Sequence, residues 1–307
     1  RRGRYSKKGR GILCKEPQVK YAFMLAHVAE FSVSGMCRVF EISRSGFYGW
    51  QASNERRKQR AVKQAALDSV VKETFFLFKM RYGVRRLYRE LKAQGYDYYK
   101  EGIAASLKRQ GLVAKAARKF KATTYSKHKL PVATNILEQD FTATAPNQKW
   151  VTDITYLWTT EGWLYLAIVV DLYSRLVVGW AMNERMTTPL ICDALQMALW
   201  QRKHPKGVIV HSDRGSQYCS HDYQALLKKH KLICSMSAKG NCYDNACAET
   251  FFHSLKVEAI HGEQLLNREQ TKSRVFEYIA VDYNNQRRHS YTGYLSPADF
   301  EKQQKFA

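Results

Sequence analysis

The fold of this chain is decided by the stretch KWVTDITYLWTTEGWLYLAIVVDLYSRLVVGWAM, residues 149–182 of 307. It contains three apolar runs rich in Val, Ile, Tyr and Trp, which are KWVTDITYLW, WLYLAIVVDLYSR and LVVGWAM. Short turns separate the runs. Runs of this composition predict three consecutive β-strands.

Helices and strands alternate after this stretch. Helical patterns cover 188–203, 220–230 and 245–259, and short apolar runs at 207–213 and 232–237 predict a fourth and a fifth strand. The predicted order is three strands, helix, strand, helix, strand, helix. A mixed five-stranded sheet with flanking helices is the natural packing of this order, which is that of the ribonuclease-H-like fold.

Three acidic residues fall at informative places in this α/β pattern. Asp153 lies in the middle of strand one, Asp213 ends strand four, and Glu249 lies on the last helix. Carboxylates brought together repel one another and lose hydration, so such a cluster is stable mainly with bound cations. Oxygen ligands suit Mg²⁺ or Mn²⁺, and two ions about 4 Å apart could activate a water or a 3′-hydroxyl for attack on phosphorus.

Each carboxylate alone has a structural explanation. Asp153 could cap a turn, Asp213 could cap a loop, and Glu249 could be an ordinary exposed helical residue. Two further aspartates are left out of the triad. Asp171 fits a hairpin turn, and Asp244 fits the first turn of a helix, where the helix dipole favours negative charge.

The net charge of +23 points to a polyanionic partner. Residues 1–140 hold 31 Lys and Arg against 11 Asp and Glu, whereas residues 141–307 hold 19 against 16. A highly solvated surface is the alternative explanation. The concentration of charge in one half favours nucleic-acid binding by that half.

The basic half divides into an arm (1–18), a helix-turn-helix domain (19–60), a second helical DNA-binding domain (61–118) and a basic linker (119–146). In the helix-turn-helix domain, Ser34 is predicted to cap one short helix and Ser43 the next, which leaves Arg44 and Ser45 exposed at its start. A plain helical hairpin is the alternative.

The second helical domain is predicted to bury Leu87, Leu91, Ile103 and Leu107. Its basic residues would then lie outside and contact phosphates, which sets position and affinity more than sequence preference. These residues are Arg85, Arg86, Arg89, Lys108 and Arg109. The catalytic core is expected at 147–262, followed by a helical and basic extension at 263–307.

Composition excludes several other classes. With 45% hydrophobic residues the chain can bury a sizeable core, and no stretch reaches the ~20 apolar residues of a membrane helix. The first residues lack the apolar segment of a secretion signal, so a cytosolic protein is expected. The seven cysteines are scattered, which predicts reduced thiols; Cys242 and Cys247 near His253 fit packing better than zinc binding.

The acidic motifs occur in a specific combination: TDITY, HSDRGSQY and NACAETFFHSLK, with 35 residues between Asp213 and Glu249. This combination resembles the DDE transposases of bacterial insertion sequences, in particular the second-frame product of the IS-three family. Their catalytic domain is similar to that of retroviral integrases. The resemblance also covers SRSGFYGW, YGVRRLYREL, GNCYDNACAETFF, Lys256 seven residues after Glu249, and YNNQRRHSYTGYLSPADF.

The resemblance implies an enzyme that binds the terminal inverted repeats of its element in double-stranded DNA. It would cut one strand to expose a 3′-hydroxyl and use that hydroxyl in strand transfer, with Mg²⁺ or Mn²⁺ and no covalent protein intermediate. A homo-oligomer, at least a dimer on DNA, and a location in the bacterial cytosol with the nucleoid are expected. The chain departs at its beginning from the family's full-length product, with its initiating Met, upstream helix-turn-helix and leucine zipper, so it is expected to be either the second-frame product or a fragment of a frameshifted fusion.

Further basic residues are predicted near the triad. On the helix of Glu249, His253 and Lys256 share one face toward the DNA, opposite a buried stripe of Ala248, Phe251, Leu255 and Ala259. Lys256 matches the family's basic position. Arg287 and Arg288, with His289, form a basic cluster that could fold back and hold DNA phosphates bidentately, with a surface cluster of no role as the alternative.

Two other functions remain compatible with the sequence. A ribonuclease-H-like structure-specific nuclease would cut without joining. A domesticated DNA-binding regulator would bind without cutting.

Overall fold

The computed structural model describes residues 16–115, 131–238 and 242–304, so the predicted arm and much of the predicted basic linker lie outside the described residues. The chain divides into two compact units. The first comprises residues 1–80 and 90–113, and the second comprises residues 81–89 and 114–307. Each unit is described separately.

The first unit begins with three helices, α1 (Pro17–Ala26), α2 (Val33–Phe40) and α3 (Arg44–Leu77). The predicted helix, tight turn, helix pattern is confirmed, with Glu41 in the left-handed conformation at the turn (φ 53°). The Ser43 hydroxyl caps α3 by accepting from the Gly46 N–H at 3.0 Å, as predicted. Ser32, rather than Ser34, caps α2 by accepting from the Gly35 N–H at 3.2 Å. The three helices share a small core: Met24, Met36, Cys37, Phe40 and Phe47.

The helix that begins after Ser43 is longer than the short helix predicted, because α3 runs unbroken for 34 residues. Residues 51–77 contain neither Gly nor Pro and are rich in good helix formers, so nothing interrupts the helix. Helix α4 (Val84–Ala93) begins in the residue range of the second unit and ends in that of the first. Helix α5 (Lys100–Arg109) lies against α3, where Arg109 pairs with Asp68 at 2.6 Å. The predicted apolar positions are confirmed as buried: Leu87, Leu91, Ile103 and Leu107.

The second unit contains the predicted mixed five-stranded sheet, in the order β3-β2-β1-β4-β5. Strands β1 and β2 pair antiparallel, as do β2 and β3, whereas β4 runs parallel to both β1 and β5. The element bounds are β1 Lys149–Thr159, β2 Gly162–Asp171, β3 Val177–Asn183, α6 Thr188–Gln201, β4 Ile209–Ser212, α7 His221–Lys229 and β5 Ile233–Met236.

The chain then crosses to the other face of the sheet. A 3₁₀ turn (Cys242–Asn245) leads into α8 (Ala246–Leu255), which continues as a π-helical turn (Lys256–Ile260). Helix α9 (Arg268–Glu277) likewise continues into a π-helical segment (Tyr278–Gln286), and a 3₁₀ turn (Ser290–Thr292) precedes α10 (Pro297–Gln304).

Both faces of the sheet are covered because successive side chains of a strand point to opposite sides. Trp150 and Val169 face a core that contains residues of α6 and α7, and Val151 and Ile168 face a core that contains residues of α8 and α9. On β3, a Cβ at Gly179 would lie 2.2 Å from the Ala194 carbonyl oxygen, so only glycine permits α6 to pack this closely.

No helix in the described part of the chain combines the length and the apolar character that a membrane span requires. Within the same residues, Cys37, Cys192, Cys219, Cys234 and Cys247 are free thiols.

Candidate active site

Asp153 and Asp213 lie at equivalent positions on two neighbouring parallel strands. The register pairs Trp150 with Val210 and Val151 with His211, and continuing it by two residues sets Asp153 opposite Asp213. Asp213 directly follows β4, and its Oδ1 accepts from the Gly215 N–H at 2.9 Å. The two half-buried carboxylates therefore flank the opening where β1 and β4 cease to pair.

Glu249 comes to the same end of the sheet from α8. The Asn245 side chain, at the start of this helix, donates to the Thr152 carbonyl at 3.3 Å. Glu249 lies one helical turn later and is exposed. The predicted stripe on the opposite face is confirmed as buried: Ala248, Phe251, Leu255 and Ala259.

The charges of Asp213 and Glu249 both act on the Asp153 carboxyl. Burial raises the pKa of Asp153 well above its ordinary value, and the negative charges of Asp213 and, more weakly, Glu249 raise it further, while Lys256 opposes the rise. Burial also raises the pKa of Glu249. The protein therefore holds Asp153 and Glu249 under conditions that disfavour their charged forms unless a cation is added.

The donor set fits an open divalent-cation site. Within the described ranges, no three Asp, Glu, His or Cys side chains are close enough together to hold one ion. Mg²⁺ seldom uses such a closed cage, because it binds through one or two carboxylates, its own waters and substrate phosphates. Asp153 and Asp213 supply oxygen ligands of that kind, with Glu249 near enough to influence the pKa of Asp153.

Lys256 does not share the exposed face of His253, so the prediction of one common basic face is wrong for Lys256. The π-helical turn that begins at Lys256 changes the helical repeat and turns this side chain inward, where it is 8% exposed. Its Nζ lies 5.1 Å from the ring centroid of Tyr156, and burial lowers its pKa while Asp153 raises it. Lys256 thus faces the carboxylate site from within the protein. His253 is exposed, as predicted.

Arg287 is also interior, which corrects its prediction as a DNA-binding residue. It is 8% exposed, and its Nη2 donates to Glu258 Oε1 at 2.8 Å and to Ser254 Oγ at 2.9 Å. Arg86 contacts the same carboxylate at 3.2 Å, so its guanidinium is likewise engaged within the protein. Burial raises the pKa of Glu258, but the charge and hydrogen bonds of Arg287, the charge of Arg86 and the Tyr278 hydroxyl together lower it below its ordinary value.

Arg288 is half-buried beside this cluster. Its Nη1 donates to the Tyr294 carbonyl at 3.1 Å, and its backbone N–H donates to the Tyr82 hydroxyl at 3.0 Å. The guanidinium of Arg89 stacks over the Tyr294 ring at 5.0 Å. The predicted basic cluster at 287–289 is therefore part of the packing of the second unit, and its formation as a free surface patch is not observed in the described residues.

The other predicted DNA-binding residues lie at the surface. Arg44 and Ser45 are exposed at the start of α3, and Arg85 and Lys108 are exposed on α4 and α5. Arg109 is also exposed, with its guanidinium paired to Asp68. DNA contact by these residues stays a prediction.

Sequence reasoning missed the residues that hold α8, the helix of Glu249, in place. Asp244 is 1% exposed and accepts from Asn135 Nδ2 at 3.1 Å, Gln139 Nε2 at 3.0 Å and the Ala238 N–H at 2.7 Å. On β4, His211 lies between the Ser235 and Ser237 hydroxyls, and burial lowers its pKa to about 4. The polar run CYDN before an apolar helix was the available signal.

Asp171, the other aspartate left out of the triad, is fully buried at the end of β2. Its two oxygens accept from the Asn147 and Tyr173 N–H groups at 2.9 and 3.0 Å. Its contacts are those of a residue that fixes the turn after β2.

The sheet order identifies the class of protein, and comparison with known families agrees. Residues 143–242 and 249–304 each match a family model described as Integrase core domain. The catalytic core domain of HTLV-2 integrase in complex with magnesium superposes with a TM-score of 0.40 at 14% identity, covering 52% of this chain and 99% of that one. The chain carries a ribonuclease-H-like integrase core.

Full-length similarity identifies the particular family. The chain is 59% identical to the transposase InsF for insertion sequence IS3A of Escherichia coli K12, over 92% of this chain and 98% of the relative. An uncharacterized 31 kDa protein of insertion element IS600 from Shigella sonnei is 46% identical over 87% of this chain and 97% of its own length. The chain belongs to the family of DNA transposases of IS3-type insertion sequences, which are polynucleotidyl transferases.

Proposed function

We propose that this transposase binds the terminal inverted repeats of its own element and cuts one strand to expose a 3′-hydroxyl. It then joins that hydroxyl to target DNA. Asp153, Asp213 and Glu249 form the DDE triad, and the required cofactor is Mg²⁺ or Mn²⁺, with two ions in each active site.

The single observation that carries this proposal is the parallel register of β1 and β4, which aligns Asp153 with Asp213. If the two carboxylates had only a structural role, positively charged side chains would be expected to dominate their surroundings. Here the strongest influence on the pKa of Asp153 after burial is a second carboxylate.

Asp213, Lys256 and the divalent ions have separate roles in this proposal. The Gly215 N–H donates to Asp213 Oδ1 and so fixes the orientation of this carboxylate. Lys256 lowers the pKa of Asp153 and so favours the charged form that binds a cation. Divalent ions at such carboxylates activate the attacking oxygen and stabilise the leaving oxygen of an in-line displacement at phosphorus.

The helices before residue 115 supply the double-stranded DNA contacts in this proposal. Arg44, Ser45, Arg85 and Lys108 are exposed, and the net charge of the chain is +23. Contacts of this kind give affinity that falls steeply with salt. We expect the active form to be a homo-oligomer, at least a dimer on DNA, working in the bacterial cytosol with the nucleoid.

A strand-joining assay tests the function. The full chain is incubated with a 5′-labelled duplex that carries the element's terminal inverted repeat, together with Mg²⁺ and an unlabelled target plasmid. Labelled DNA joined to the plasmid is the expected product. Cleavage without joining would indicate a nuclease, and binding without cleavage would indicate a regulator.

A further inference from the structure

Asn245 lies in the opening between β1 and β4. The carbonyl of Gln148 accepts from the Ile209 N–H at 3.0 Å, so it faces β4. Because the peptide groups of a strand alternate in direction, the Thr152 carbonyl four residues later faces the same side. The β1–β4 pairs end at Val151 with His211, and the Asn245 amide binds the Thr152 carbonyl just beyond. The Asn245 amide thus binds the Thr152 carbonyl where the ladder pattern would next place the N–H of Asp213.

The residue before it fixes this placement. Asp244 is buried and receives three hydrogen bonds, from Asn135, Gln139 and the backbone of Ala238 at the end of β5. A buried carboxylate with three donors has little freedom to move without losing them. The turn that precedes α8 is therefore fixed at two places. Asp244 binds the segment before β1 and the backbone just after β5, and Asn245 binds β1 itself.

Asn245 also keeps one polar atom unsatisfied. The residue is 6% exposed, and its Oδ1 has no hydrogen-bond partner among the described residues. Buried polar atoms are normally paired, and the exceptions call for an explanation such as an ordered water or ion. This atom belongs to a side chain that contacts the residue next to Asp153.

We propose that Asn245 is a positioning residue for the cation site. Its amide nitrogen ties the start of α8 to β1, so that Glu249, one turn later, is held where its carboxylate completes the set begun by Asp153 and Asp213. Its Oδ1 accepts a hydrogen bond from a water molecule between β1 and β4. This inference rests on the proposed function, since it presupposes a cation at Asp153.

Binding of Mn²⁺ to the full chain, followed by the electron paramagnetic resonance signal of the free ion, tests the inference without any reaction. Asn245→Ala is expected to raise the half-saturating Mn²⁺ concentration about tenfold, the lower end of the range for loss of a residue that supports a metal ligand. Glu249→Gln should raise it as well. The double variant should be no weaker than Glu249→Gln alone, because Asn245 acts through Glu249.

Asn284→Ala is the matched control. Asn284 is equally interior and bonds both backbone groups of Val177, on β3. Its loss should lower the melting temperature and leave Mn²⁺ binding unchanged. Asn245→Asp is the second variant, because it keeps the shape and removes the amide donor; it should cleave DNA slowly even when it binds Mn²⁺ well.

Unchanged Mn²⁺ binding by folded Asn245→Ala would overturn the inference, and so would wild-type cleavage by Asn245→Asp. An additive double variant would also overturn it, since Asn245 would then act independently of Glu249. Failure of the proposed function would look different. In that case the unaltered protein and Asp153→Asn would bind Mn²⁺ equally.

Discussion

Two buried carboxylate centres in the second unit differ in how their charge is treated. At Asp153, burial and the neighbouring Asp213 raise the pKa. At Glu258, nine residues after Glu249, burial acts in the same direction, but Arg287 and Arg86 lower the pKa below its ordinary value. The protein thus neutralises Glu258, which serves packing, with its own arginines. At Asp153 the strongest charge effect comes instead from a second carboxylate, as expected for the proposed cation site.

The largest expected effect is on catalysis. Asp153→Asn should reduce strand cleavage about 10³-fold or more, because loss of a metal ligand removes several kcal/mol of transition-state stabilisation. Asp213→Asn and Glu249→Gln should act similarly. Single-turnover cleavage of labelled element ends measures the effect, and a gel shift should show DNA binding nearly unchanged. Any of the three that cleaves like the unaltered protein is not a member of the triad.

The second prediction concerns stability at the other centre. Glu258→Gln should lower the free energy of unfolding by about 3–5 kcal/mol, because it leaves the buried guanidinium of Arg287 without its counter-charge. Urea denaturation measures this. Glu269→Gln is the control, because Glu269 pairs with Lys272 on the exposed surface and should contribute little. Equal, small losses for both variants would show that the Glu258 cluster is not a stabilising centre.

The pH dependence of stability should differ in sign between the two centres when metal is removed with a chelator. The pKa of Asp153 is raised on folding, so its ionisation makes the native state less stable as pH rises from the unfolded value of about 3.9 through the folded one. Asp153→Asn should therefore gain stability over the unaltered protein as pH rises.

The pKa of Glu258 is lowered on folding, so its contribution is present above the unfolded value of about 4.3 and is lost as pH falls through the folded one. The advantage of the unaltered protein over Glu258→Gln should shrink in acid. Unfolding curves of the three proteins across this pH range measure both trends. Parallel trends for the two variants would contradict the difference between the centres.

The smallest expected effect concerns the basic residues. Arg44→Ala and Lys108→Ala should each reduce the slope of log affinity against log salt by about 0.9 for each phosphate that the replaced side chain neutralises. Arg86→Ala should leave the slope unchanged, because its guanidinium already contacts Glu258. Fluorescence anisotropy of an element end at several salt concentrations gives the slopes. A reduced slope for Arg86→Ala would mean that the Glu258 cluster also serves DNA.

Local patterns in the sequence were sufficient for the sheet and for the alignment of Asp153 with Asp213. Runs of β-branched and aromatic residues specify the strands, and the order of strands and helices restricts how the sheet can be assembled. The buried stripe of Ala248, Phe251, Leu255 and Ala259 followed from helical periodicity alone. Each of these inferences uses only neighbours in the chain.

The errors occurred where a distant partner or a change of helical repeat decides the outcome. Arg287 was predicted to lie at the surface because its partner, Glu258, is 29 residues earlier in the sequence and no local pattern pairs the two. Lys256 was assigned to the face of His253 by the α-helical repeat, which ends where the π-helical turn begins. Asp244 was assigned to the helix dipole, whereas its three hydrogen-bond donors come from residues 135, 139 and 238.

The central claim is that the carboxylates at the β1–β4 opening bind divalent cations. The most direct test is the effect of Mn²⁺ on the thermal unfolding of the protein without DNA. A ligand that binds only the native state stabilises it by about 2.7 kcal/mol at one hundred times its dissociation constant. The unaltered protein should show a melting temperature that rises with Mn²⁺ concentration, and Asp153→Asn should show almost none of this rise. Equal stabilisation of the two proteins, or none in either, would contradict the claim.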